Sequence, residues 1–294
     1  MATKTKIQWT DSTFNPWRGC TKISPGCANC YALTLSKRNP KVLGEWGPEG
    51  TRVLASDNQW NEPYKWNAQA QRNQKRHKVF CASLADVFES WSGQMMDSQE
   101  NRLWINPLTN EISSVQDDAH DEELTLHHAR ERLWDLIRET PWLDWQLLTK
   151  RPENICSMMS HGEWKNVWLG TSIENQEYTW RVDALQEVRE VIQVPVLFVS
   201  AEPLLGPIDF GNTLQGIQWL ISGGESGGNA RPIYLDWVWS IMYQCQDAKC
   251  AFFNKQFGSV AMINDESEWT LEDAKGGDIT EFPIDLQVRE FPNL

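Results

Sequence analysis

Short apolar runs recur along the chain, each closed by a polar or glycine-containing cluster. They begin at Val79, Trp145, Val167, Val194, Gln218 and Cys250. Between the later runs lie stretches with helical spacing, over residues 179–191 and 235–246. Another, over residues 122–139, sets Leu124, Leu133, Leu136 and Ile137 on one inward face. Short buried strands alternating with such helices predict parallel βα units. An initial strand near residues 6–9 or at Trp17 would bring the number to about seven.

The polar clusters follow every run rather than one or two. That pattern suits a βα barrel, or a partial TIM-like barrel of six to seven parallel strands, better than a doubly wound sheet. The clusters are Ser83 and Asp86; Thr149, Lys150 and Arg151; Ser172 and Glu174; Ser200 and Glu202; Gly223, Gly224 and Glu225; Asn254, Lys255 and Gln256. In a barrel they share one rim, at the C-terminal strand ends, where such folds place active sites. Residues 92–120 are polar and aperiodic, and read as an inserted lid or as a disordered surface insertion. The acidic segment from residue 258, with turn signals at Gly276 and Gly277, predicts a small β-rich cap. The domain reading is therefore a barrel over residues 1–257 and a cap over 258–294.

Charge changes the picture in one place. The 294 residues hold 27 Lys+Arg against 40 Asp+Glu, a net charge of −13, which excludes a simple polycation that coats nucleic acid. Residues 1–80 reverse the balance, with 13 Lys+Arg against 5 Asp+Glu. Five of the 17 tryptophans, Trp9, Trp17, Trp46, Trp60 and Trp66, fall in this basic third. Aromatics among cations are a means of stacking single-stranded bases, and tryptophans are also ordinary core residues, so both readings stand. No apolar run approaches the ~20 residues that span a bilayer, and the first ten residues lack a signal peptide's apolar core. The expectation is a cytoplasmic protein with no membrane partner.

Of seven cysteines, Cys20, Cys27 and Cys30 share a Gly/Pro-rich loop with C-x6-C-x2-C spacing. An odd number in a chain without a signal peptide argues against a disulfide framework. Three thiolates from one loop point to a metal. Structural zinc needs four protein ligands, with His77 or the Cys245/Cys250 pair as the available additions. A 4Fe–4S cluster held by three cysteines leaves one iron open, and this ligand count favours iron–sulfur.

The segment Ile7-Gln-Trp-Thr-Asp-Ser-Thr-Phe-Asn-Pro-Trp-Arg-Gly-Cys20, with Pro25-Gly-Cys27-Ala-Asn-Cys30-Tyr31-Ala, resembles the opening of the phage three-Cys-motif protein family. Residues 147–153, 167–174, 202–208, 223–227 with 230–232, and 252–258 resemble that family's later blocks. The family is of unknown function, and its architecture and cysteines are similar to those of radical S-adenosylmethionine (SAM) enzymes. The radical SAM pattern has a shorter first gap than the six residues here and an aromatic where Asn29 stands. Its Gly-Gly-Glu triplet follows an early strand, whereas Gly223-Gly224-Glu225 follows a late one.

The resemblance implies that Cys20, Cys27 and Cys30 ligate a 4Fe–4S cluster that reduces SAM to a 5′-deoxyadenosyl radical. It implies Lys150 or Arg151 for the SAM carboxylate, and Ser172 and Glu174 for its ribose. Ser200, Gly223 and Gly224 complete the SAM-binding set, and Glu202 and Glu225 bind its ammonium or the substrate. Glu202, Glu225 and Lys150 are the candidate catalytic residues. The substrate expected is a nucleotide or a DNA or RNA base, as in phage DNA modification, with a flavodoxin- or ferredoxin-type reductant in the host cytoplasm. Two other classes stay open: a non-catalytic metal-stabilised βα protein that binds a partner or nucleic acid, and a hydrolytic or lyase barrel using Glu202 and Glu225 as acid and base.

Overall fold

The computed structural model describes residues 5–293. Residues 1–4 and 294, the outer ends of the two expected domains, lie outside the described residues. The chain forms two compact units. One comprises the chain up to Ile23, Cys30–Leu147 and Ser157–Ser160; the other comprises Ser24–Asn29, Leu148–Cys156 and the chain from His161 on.

In the first unit, three parallel strands lie in the order β1 (Ser12–Thr13), β2 (His77–Cys81) and β3 (Leu143–Thr149). The last two residues of β3 belong to the second unit. The initial strand is thus neither at residues 6–9 nor at Trp17. Ser12 and Thr13 pair with Val79 and Phe80, whereas Trp17–Arg18 makes a short antiparallel pair with Val53–Leu54. Two residues carry too little periodicity to register as a strand. Six of the seven β3 residues are buried, as expected of a strand covered on both faces.

Three longer helices accompany these strands: α1 (Tyr31–Arg38), α2 (Glu62–Asn73) and α3 (Leu126–Glu139). Helix α3 follows Thr125, which makes a capping box with His128, and buries Leu126, Ala129, Leu133, Leu136 and Ile137 along one face. It ends at Glu139, just before Thr140 and Pro141, because the residue preceding proline is driven out of helical geometry. Glu122–Glu123, expected as helix, is instead a strand. It joins Trp104–Ile105 and Ile112–Ser113 in a three-stranded antiparallel sheet, so the insertion has a fold of its own.

The second unit carries four parallel strands in sequence order: β4 (Val167–Ser172), β5 (Val196–Ala201), β6 (Trp219–Gly223) and β7 (Ala251–Gln256). Every residue of β4, β5 and β6 is buried. Helix α4 (Trp180–Glu187) follows β4, and α5 (Leu235–Ala248) precedes β7. The register sets Trp168, Phe198, Trp219 and Phe253 on one face of the sheet, where Trp168 meets Trp219 edge-on at 5.8 Å. Phe291 stacks on Trp219 at 5.4 Å, closing that aromatic layer from the C-terminal segment. The same segment covers the edge of β7, with Asn254 N–H donating to the Val288 carbonyl and Glu290 N–H to that of Phe252, both at 2.9 Å. Ahead of it, Ala261–Asn264 and Ser267–Trp269 form a hairpin that Ile233–Tyr234 extends. The protein is thus an α/β fold with seven parallel strands, three in one unit and four in the other.

Candidate functional site

The loop Ser24–Asn29 belongs to the second unit, and two strand-end carboxylates grip its ends. Glu174, two residues beyond β4, accepts from Ser24 Oγ at 2.5 Å and from Lys150 Nζ at 2.9 Å through Oε1. Its Oε2 accepts from Arg181 Nη1 at 2.9 Å, and the same Arg181 nitrogen donates to the Ser172 carbonyl. Glu174 is fully buried. Burial would raise its pKa, but Lys150, the Ser24 hydrogen bond and Arg181 together hold the carboxyl below the usual range. Gly26 is packed against it: a Cβ there would lie 2.5 Å from Glu174 Cγ, so this loop position requires glycine.

Glu225, just past β6, holds the other end. Its Oε2 accepts from Asn29 Nδ2 at 2.9 Å and from Arg231 N and Nε at 3.0 Å; its Oε1 accepts from Arg231 Nη2 at 2.7 Å. Burial again works against the charge, and the bonds from Arg231 and Asn29 outweigh it, so this carboxyl too sits below its ordinary value. Asn29 Nδ2 also donates to the Asn229 carbonyl at 2.8 Å. A depressed pKa at Glu225 removes the proton that a general acid would supply, which weighs against its role in an acid–base pair with Glu202.

Glu202 is the more open carboxylate. It receives Lys255 Nζ at 2.7 Å on Oε1 and Ser200 Oγ at 3.1 Å on Oε2, with side-chain exposures of 14% for Glu202 and 21% for Lys255. Ser172 and Ser200 are register partners on β4 and β5, both buried. The glycine doublet is shaped by packing within the protein: a Cβ on Gly223 would fall 2.4 Å from Glu202 Oε1, and one on Gly224 would fall 2.1 Å from the Phe257 carbonyl. Arg151 is buried, with its backbone N–H capped by Thr149 Oγ1 at 2.9 Å.

In the first unit, Cys20 is positioned by a buried ion pair. Arg52 donates to Glu89 through Nε and Nη2, each at 2.8 Å, and Glu89 accepts from Thr21 N–H at 2.7 Å. Both charges are essentially unexposed. Arg52 Nη2 also reaches Thr21 Oγ1 at 2.9 Å, and Cys20 offers its carbonyl to Gly47 N–H at 3.2 Å. Cys30 is the N-cap residue of α1.

Cys20, Cys27 and Cys30 are of intermediate exposure and in no disulfide, whereas Cys81, Cys245 and Cys250 are buried and likewise in none. A hydrogen bond with Cys250, together with burial, pushes the Cys245 thiol up, and His77 Nε2 is engaged with Ser12 Oγ at 2.9 Å. The additional zinc ligands considered from sequence are therefore committed elsewhere. Among the described residues, no three His, Cys, Asp or Glu side chains are gathered as a metal cage. What speaks for a metal is donor chemistry alone: three soft thiols of intermediate exposure, none of them in a disulfide.

Sequence reasoning placed Lys150, Glu174, Glu202 and Glu225 at strand ends. It missed Ser24, Asn29, Arg181 and Arg231 as their partners, and it counted Lys255 only as part of a polar cluster. Arg231 had a signal, six residues after Glu225 in the Ala230-Arg231-Pro232 block. The tryptophan stacking reading is corrected: Trp9, Trp17, Trp60 and Trp66 are buried, and half-buried Trp46 donates its Nε1–H to the Leu43 carbonyl. A cavity of about 1050 Å³ lies within the first unit, lined by Arg18, Leu54, Asp57, Ile105 and Arg132 among others, and no candidate site residue touches it.

The family model described as "Protein of unknown function (DUF5131)" matches residues 4–99 and 92–283. The chain belongs to this family. Neither the curated proteins nor the solved structures contain a match to it.

Proposed function

We propose that this protein is an iron–sulfur enzyme of the radical SAM type, acting on a nucleotide or a nucleic-acid base, within the three-Cys-motif group that its sequence resembles. The observation that carries the reading is the cysteine loop: three thiols of intermediate exposure, with Cys27 on the stretch held at Ser24 by Glu174 and at Asn29 by Glu225, and Cys20 and Cys30 flanking that stretch in the sequence. Cys20, Cys27 and Cys30 would hold the cluster. When bound, such a cluster would supply one electron to the sulfonium of SAM, breaking its C5′–S bond to give methionine and a 5′-deoxyadenosyl radical that takes a hydrogen atom from substrate.

The remaining work falls to the chain's own residues. Glu174 and Glu225 keep the loop in place, a role their buried, fully occupied oxygens serve better than binding a ribose or an ammonium. Glu202 and Lys255, a solvent-reachable ion pair, offer an acceptor for the SAM ammonium and a cation for its carboxylate. Ser172 and Ser200 supply hydroxyls on the adjoining strands. The reading also entails a partial TIM-like barrel and a one-electron donor of flavodoxin or ferredoxin type.

Iron and acid-labile sulfide analysis of anaerobically purified protein tests this, together with electron paramagnetic resonance of the reduced form with and without SAM. About four irons per chain, a reduced-cluster signal that shifts on adding SAM, and loss of both when Cys20, Cys27 and Cys30 become Ala are expected. One zinc and no iron would overturn the reading in favour of a structural metal in a binding protein.

A further inference from the structure

Helix α1 begins at the third cysteine and turns an unusual face outward. Ala32 and Ser36, one turn apart, are its buried residues. On another face, Tyr31, Leu35 and Arg38 follow the i, i+4, i+7 spacing of one stripe, and all three are exposed, Tyr31 by 57% and Leu35 by 43%. Lys37 is exposed beside them, and the short helix Pro40–Leu43 continues with exposed Lys41 and Val42. Lys37, Arg38 and Lys41 make no ion pair among the described residues.

The two helices themselves carry charge of one sign. Residues 31–43 contain Lys37, Arg38 and Lys41, all exposed, and no Asp or Glu, in a chain whose net charge is −13. In a protein this acidic, an exposed basic segment is a place where a polyanion can approach. An exposed ring flanked by an aliphatic side chain and three cations suits unpaired bases better than a duplex, whose bases are already stacked. Tyr31 is also anchored, its hydroxyl donating to the Ser83 carbonyl at 2.8 Å, which fixes the ring while leaving over half the residue open.

We infer that α1 and the Pro40–Leu43 helix form a docking surface for single-stranded nucleic acid, with Tyr31 as the base-stacking side chain and Lys37, Arg38 and Lys41 on the phosphates. The inference rests on the nucleic-acid reading above, because it locates where that substrate meets the protein. Four of the five tryptophans in the basic third are core residues and Trp46 is half-buried, so the stacking role passes to a tyrosine in the same third.

The test uses full-length metal-free protein without SAM, so it can fail while SAM cleavage stands, and the converse. Fluorescence anisotropy would measure binding of a labelled oligothymidylate, its RNA counterpart, a duplex and poly-L-glutamate. Single strands are expected to bind at least tenfold tighter than the duplex. Charge reversal of Lys37, Arg38 and Lys41 to Glu should abolish this, and their exchange for Gln should lower the slope of log K against log salt by about 2. Tyr31→Leu should weaken binding ~10-fold while Tyr31→Phe keeps it. Three results would overturn the proposal: no binding at low salt, equal binding by the charge variants, or poly-L-glutamate competing fully with no effect of Tyr31→Leu. The last would assign the face to an acidic protein.

Discussion

Glu174 and Glu225 keep their charges inside the protein only because cations and amides meet every oxygen. Both have folded-state pKa values below the ordinary carboxylate range, so their contribution to stability is complete at neutral pH. It is lost as the pH falls through those depressed values. Protection of residues 24–29 against hydrogen exchange, taken relative to the intrinsic rate at each pH, is therefore expected to fall below about pH 4. Glu225→Gln should lower that protection already at pH 7 and flatten its pH dependence; an unchanged profile would contradict the tether. Glu174→Gln leaves Lys150 and Arg181 facing an uncharged amide, and should cost about 3 kcal/mol in urea unfolding. The thiols divide by surroundings as well. A thiol reagent added to native metal-free protein should label Cys20, Cys27 and Cys30 first. Cys156, raised by burial and by Glu187 and Glu190, should react later, and Cys81, Cys245 and Cys250 only in denaturant. Early modification of Cys81, whose thiol burial pushes up, would contradict the packing described.

At the scale of elements, the glycine doublet and the C-terminal segment give the sharpest expectations. Gly223→Ala meets the tip of the Glu202 side chain, which can swing aside, whereas Gly224→Ala meets the Phe257 backbone. Thermal unfolding should show a small loss for the first and several degrees for the second. Removing residues 286–294 uncovers the β7 edge and Trp219, and should red-shift tryptophan emission and promote aggregation. The strands from β2 onward were legible because each is an apolar run ended by polar residues, the pattern of a strand buried on both faces. Helix α3 was legible by its inward leucines. The initial strand was not, because Ser12 and Thr13 are polar and owe their place to hydrogen bonds with β2. The insertion was hidden for a related reason: its three strands are two residues each, too short to show alternation.

For the whole molecule, the sequence exposed the chemistry more readily than the contacts. Three cysteines at fixed spacing and polar residues after each strand can be read along the chain. That Glu174 reaches Ser24, 150 positions away, cannot, because only the fold brings them together. Partner choice decides whether a strand-end carboxylate binds a ligand or latches a loop. The structure separates Glu174 and Glu225, with every oxygen occupied, from Glu202 and Lys255, which solvent reaches.

The central claim is a radical SAM enzyme built on this loop, and release of 5′-deoxyadenosine tests it most directly. Protein reconstituted anaerobically with iron and sulfide would be reduced with dithionite, given SAM, and assayed by mass spectrometry beside the Cys20/Cys27/Cys30→Ala variant. The account predicts 5′-deoxyadenosine from the wild-type protein and none from the variant. No release from protein carrying its cluster, with or without nucleic acid, would contradict it.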